Sequence, residues 1–75
     1  MSIVDFIIHT EPELPLSERF QLESEIGDMD GVMSAHFSPR HHHMMEVAYN
    51  PDVVSSGVVL GRVSRRGIVA QKVGL

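Results

Sequence analysis

The spacing of apolar and polar positions changes several times along the chain, and each change marks an element. Ile3 to Thr10 is rich in β-branched residues and reads as a largely buried strand. Two prolines in Glu11-Pro12-Glu13-Leu14-Pro15 end it, because each removes a backbone donor and holds the chain extended. Ser17 has the chemistry of an N-cap, and Leu16, Phe20, Leu22, Ile26 and Met29 recur at roughly helical spacing, which predicts a first helix over about residues 18 to 28. Asp30-Gly31 is a turn, and Val32 to Phe37 is a second strand closed by Ser38-Pro39-Arg40. A third strand runs from about His43 to Tyr49, where Asn50-Pro51-Asp52 stops it. Ser55 or Ser56 can cap a second helix carrying Val59, Leu60 and Val63, with Arg65 and Arg66 in its last turn, where cations suit the helix dipole. Gly67 is the expected left-handed residue after it, and Ile68 to Val73 alternates as a fourth strand.

The predicted order is β-α-β-β-α-β, an α+β arrangement. It points to a ferredoxin-like sandwich: a four-stranded antiparallel sheet of strand order 4-1-3-2, both helices on one face, and the other face left for solvent or a partner. A chain of 75 residues can cover only one core, so residues 1–75 are expected to form a single domain.

Composition removes several kinds of chemistry. At 43% hydrophobic and 21% charged the chain is expected to fold. The absence of cysteine excludes a disulfide framework, a thiolate nucleophile, an iron–sulfur cluster and every cysteine-based zinc site. Any metal must be held by imidazole, thioether, carboxylate or backbone oxygen. Residues 1 to 30 hold eight acids and one base, whereas residues 31 to 75 hold five bases and two acids. Arg62, Arg65, Arg66 and Lys72 are too small a basic set beside such an acidic half for nucleic-acid binding. The asymmetry fits either a solvated acidic helix face or steered contact with a charged protein. The apolar start is broken by Asp5 and closed by His9, so neither a signal core nor direct membrane insertion is expected, and the expected location is cytoplasmic.

Asp30-Gly31-Val32 before the second strand, the run Val47-Ala48-Tyr49-Asn50-Pro51-Asp52-Val53-Val54-Ser55 before a short helix, and Arg66-Gly67-Ile68 with Ala70 carry a resemblance over nearly the whole chain. In these features the protein resembles a heavy-metal-associated domain, the fold of small copper chaperones and of the N-terminal domains of metal-transporting P-type ATPases. The resemblance implies a Met-x-Cys-x-x-Cys loop between the first strand and the first helix, where two thiolates hold a soft ion such as Cu(I). Counted back from Gly31-Val32, those cysteine positions fall at Pro15 and Glu18, and Thr10 to Ser17 contains no soft ligand. No metal ligand of the family therefore carries over to this chain.

The five histidines take on meaning within the predicted topology. The end of the first strand, the hairpin between the second and third, and the turn into the fourth share one end of the sheet. That end holds His9, His36, His41, His42 and His43, and by resemblance it is also the end of the family's metal loop. If Ala35, Phe37, Met45, Val47 and Tyr49 face the helices, then His36, Met44 and Glu46 face outward, joined by His9 if Ile8 points inward. The matching register sets His36 opposite Glu46 and Ser38 opposite Met44. The candidate metal ligands are thus His36, His41, His42, His43, His9, Met44 and Glu46. Imidazole with carboxylate or thioether suits Cu, Ni, Co or Zn, and no organic cofactor is implied. If His9 points outward, Ile3 and Ile7 lie on the uncovered sheet face, which would favour self-association or a protein partner; the alternative is a shifted or bulged first strand that buries both.

These features lead to a small non-catalytic metal-binding protein that uses histidines instead of cysteines to bind, buffer or deliver a transition metal. A metal transporter or another metalloprotein would be its partner. The alternative is a metal-free domain of the same fold acting as an interaction or regulatory module. Enzyme activity is not expected, because no Ser-His-Asp set, glycine-rich phosphate loop or paired carboxylates are present.

Overall fold

The computed structural model describes residues 2–73; Met1, Gly74 and Leu75, the ends of the expected 1–75 domain, lie outside the described residues. Four strands and two helices follow one another as β1 Val4–Glu11, α1 Leu16–Gly27, β2 Val32–Phe37, β3 Met44–Tyr49, α2 Ser56–Ser64 and β4 Val69–Val73. The sheet order is β2-β3-β1-β4 with every neighbouring pair antiparallel, which is the expected order read from its other edge.

Strand alternation builds the core. Phe6, Ile8 and Thr10 of β1 and Met45, Val47 and Tyr49 of β3 point inward, where Leu22 and Ile26 of α1 and Val59 and Val63 of α2 cover them. Each fully buried aliphatic or methionine side chain among them contributes about 1.5–3 kcal/mol through the apolar area removed from water. The Phe6 and Tyr49 rings meet edge to face with centroids 5.4 Å apart within the core.

The helices depart from expectation in detail. α1 begins at Leu16 behind Pro15, whose carbonyl accepts from Arg19 N at 3.0 Å; Ser17 lies inside the first turn, and no side chain caps the helix. The fixed φ of proline already matches a helix start, which removes the need for a hydroxyl cap. Leu16 and Phe20 are exposed, while Leu22 and Ile26 are buried. At 3.6 residues per turn the first pair lies roughly a third of a turn from the second. Apparent helical spacing had merged two faces. In α2, Ser55 is the cap, its Oγ accepting from Val58 N at 3.2 Å. Arg65 is the C-terminal capping residue and Arg66 lies beyond it, so Arg62 is the base in the last turn. Gly67 has the expected positive φ of 81°. Glu25 joins the helices, meeting Arg66 at 2.5 Å and Arg62 at 3.8 Å.

The β2 edge carries two guards. A register shift between Val32 and Ser34 pushes Met33 out of the ladder, and Glu23 of α1 accepts the Phe37 N–H at 2.6 Å.

Candidate functional site

Thr10 anchors the histidine end of the sheet. Its side chain is fully buried, and its backbone N donates to the His43 carbonyl at 2.8 Å, extending the β1–β3 ladder one step into the hairpin. The hairpin is tied at its base by Ser38 N donating to Met44 O at 2.8 Å. Inside it, Ser38 Oγ accepts from Arg40 N and His41 N at 3.3 and 3.2 Å, a local turn in which a hydroxyl replaces a backbone acceptor. These bonds hold all five histidines toward one end, with β1 and the hairpin as their frame.

The predicted register is met: His36 stands opposite Glu46, and His9 opposite Met44. Because Ile8 and Met45 are buried, His9, Met44, Glu46 and His36 share the open sheet face. The seven expected ligands do not meet at one point. His36 Nε2 donates to Glu46 Oε2 at 3.0 Å, and both side chains are more than half exposed. His9 and His43 form a second group, their ring centroids 5.4 Å apart and their planes 37° from parallel. His42 turns the other way, its Nε2 donating to the Pro39 carbonyl at 3.0 Å beside Leu16 and Phe20 of α1. His41 is exposed at the hairpin tip. Among the described residues, no three histidines, aspartates or glutamates stand close enough together to hold a metal ion.

Two carboxylates escaped the sequence reading. Glu11 and Glu13 line a surface depression of about 550 Å³ together with His9, His43, Pro12 and Val69. Alternation puts Glu11 on the face of His9 once β1 continues through it, and its cross-strand partner is Val69. Ending the strand at Thr10, because Pro12 follows, hid this. The positions of the family's two thiolates are filled by Pro15, before the first turn of α1, and by exposed Glu18 within it. Neither can stand in for a soft sulfur ligand.

No protein-family model matches the sequence, nor does any curated protein. Solved structures do match. A copper-binding domain from HMA7, a P-type ATPase, superposes with a TM-score of 0.82 at 13% identity, over 93% of each chain. Oxidized MerP from Ralstonia metallidurans CH34 gives a TM-score of 0.85 at 8% identity, over 97% of this chain and all of its own.

The chain has the heavy-metal-associated fold.

A metallochaperone, CsoZ, matches that fold with a TM-score of 0.78 at 18% identity, over 97% of this chain and 100% of its own. On this heavy-metal-associated frame, the end of the sheet that carries the histidines lies beside the β1–α1 loop of residues 12–15. No helix among the described residues is long and apolar enough to cross a membrane.

Proposed function

We propose that the protein is a small non-catalytic binder of a transition-metal ion, Cu, Ni, Co or Zn, that uses imidazole where the heavy-metal-associated family it resembles is expected to use thiolate. The observation that carries this reading is the gathering of five imidazoles at one end of the sheet, with His9 and His43 already side by side. Neutral imidazole is a good ligand for these ions, and the chain offers no thiolate to compete with it. The solved structures of the same fold include a copper-binding domain and a metallochaperone, which supports the reading by analogy of fold. A metal transporter or another metalloprotein is the partner class that follows. Titration of the wild-type protein and of a variant with all five histidines replaced by alanine, using each of the four ions in turn, tests it. Stoichiometric binding tighter than micromolar, lost in the variant, is expected. Binding that is weaker, or that survives in the variant, refutes it.

A second reading, a metal-free interaction module, draws on the apolar part of the open face. Ile7 and Val73 pair across β1 and β4 there, and Val69 is 59% exposed. This reading predicts self-association that is the same with and without chelator in sedimentation experiments.

A further inference from the structure

An open sheet has two edges, and this chain treats them differently. The β2 edge is closed by the register shift beside Met33 and by Glu23 on the Phe37 N–H. The β4 edge carries neither device: Val69–Val73 pairs with β1 through an unbroken register, contains no proline, and has no sheet neighbour on its outer side among the described residues. Its one charge, Lys72, lies opposite buried Ile8 and so faces the helices, where its Nζ donates to Ser56 Oγ at 3.3 Å and stands 5.8 Å from the centre of the Phe6 ring. The cation that would discourage pairing is thereby drawn away over the core side. Val69 and Val73 remain exposed. We infer that the β4 edge is the pairing surface for a second copy of this chain, antiparallel about a two-fold axis at Gln71, joining the two sheets into one.

Self-complementarity fixes the partner and the register. A two-fold axis normal to the sheet sets one residue opposite itself and keeps both open faces on the same side. With the axis at Gln71, Val69 meets Val73 of the second copy twice, the two Gln71 amides meet each other as donor and acceptor, and Lys72 stands opposite Ala70. An axis at Lys72 would oppose like charges, and one at Ala70 would carry Val73 past the start of the other strand. In the Gln71 register, Ile7, its neighbour Val73 and Val69 of the second copy form one apolar row across the junction. Charge permits approach at this edge. The acidic helix α1, with Glu18, Glu23 and Glu25, packs on β2, whereas α2 packs on β4, holds no acid and turns Arg62 toward Glu25. The Glu11 carboxylates of the two copies, each one strand in from the junction beside Val69, stand roughly 20 Å apart by strand spacing, beyond the Debye length of about 8 Å. A pairing five residues long is small beside the about 1,200–2,000 Å² of a stable interface, so the dimer is a reversible one.

This inference gives the interaction-module reading a defined partner and contact, and rests on it; stacking of two open faces would satisfy that reading without this one. Sedimentation of the full chain from about 10 µM to about 1 mM is expected to show a monomer–dimer equilibrium that chelator leaves unchanged. The β4 amides that β1 leaves unpaired should exchange with solvent more slowly as concentration rises. Gln71→Lys and Gln71→Glu should each raise the dissociation constant by about tenfold or more, and an equimolar mixture of the two should recover the dimer, because the residue meets its own copy. Gln71→Cys should cross-link under mild oxidation in a chain with no other cysteine, since paired strands bring Cα atoms to about 4.5–5.5 Å, whereas stacked faces stand about 10 Å apart. Met33→Cys, at the β2 edge, should stay a free thiol. The amide exchange is read on the wild-type protein, so it decides the matter even if a variant unfolds. Self-association with β4 exchange independent of concentration would overturn edge pairing and leave the interaction-module reading standing. Equal cross-linking at positions 33 and 71 would also overturn it. A monomer throughout the concentration range would remove both.

Discussion

Replacing Gly31 by alanine should be among the most damaging single-methyl changes in the protein, and Gly67 supplies its control. Both glycines have positive φ, 89° and 81°. A side chain at either position carries a backbone cost of about 1–2 kcal/mol, because an L-residue in the left-handed region crowds its own carbonyl. Only Gly31 adds a steric cost: a Cβ there would lie 2.9 Å from Val53 Cβ and Cγ1 and 2.9 Å from Val54 Cγ1, whereas at Gly67 it would meet nothing within 4 Å. Val54 is buried, and Asn50 N donates to Gly31 O at 2.7 Å, so neither side of the contact can retreat freely. Overpacking of this kind costs about 1–3 kcal/mol. Gly67→Ala should therefore lose about 1–2 kcal/mol and Gly31→Ala about 2–5 kcal/mol. In a domain this small, each kcal/mol is worth roughly 4–8 °C in melting temperature. Urea titration and thermal melting followed by far-UV circular dichroism measure both variants. Equal losses would refute the steric argument and leave only the backbone term.

Further outcomes follow from local bonds. Ser55→Ala should cost about 1 kcal/mol in urea denaturation, because it removes the hydroxyl that accepts from Val58 N, while Ser17→Ala, in a helix started by proline, should be nearly neutral. Glu23→Ala should cost about 1–3 kcal/mol by releasing a charge-assisted bond, and the Phe37 amide should then exchange with solvent markedly faster. Unchanged Phe37 protection would show that the carboxylate does not guard the edge.

The same frame that makes the α1–β2 turn intolerant of a side chain leaves the histidine end open to solvent. Gly31 lies at the opposite end of β2 from His36, with the sheet between the two. Stability and metal binding are thus separable: the Gly31 and Ser55 variants should bind metal normally below their melting temperatures, which circular dichroism and calorimetry on the same samples would check.

Element types and strand order were legible in the sequence because they depend on nearest-neighbour physics. Strand alternation buries Phe6 and Ile8 and exposes His9, and a serine before an apolar helical run caps α2. The register that sets His36 opposite Glu46 was legible for the same reason, since a one-residue slip would turn Met45 and Val47 out of the core. The clustering of histidines at one end followed from topology alone. What the sequence could not determine was which of those imidazoles meet. Side-chain direction at a hairpin depends on hydrogen bonds local to the turn, such as His42 to Pro39 and Thr10 to His43, and these separate residues adjacent in sequence while joining His43 to His9, 34 positions earlier. Glu11 was missed because the proline after it signals a strand end, yet its own backbone pairs with Val69. Composition restricted metal ligands to imidazole, thioether, carboxylate and backbone oxygen; the tertiary structure alone decided that His9, His43 and Glu11 border one depression.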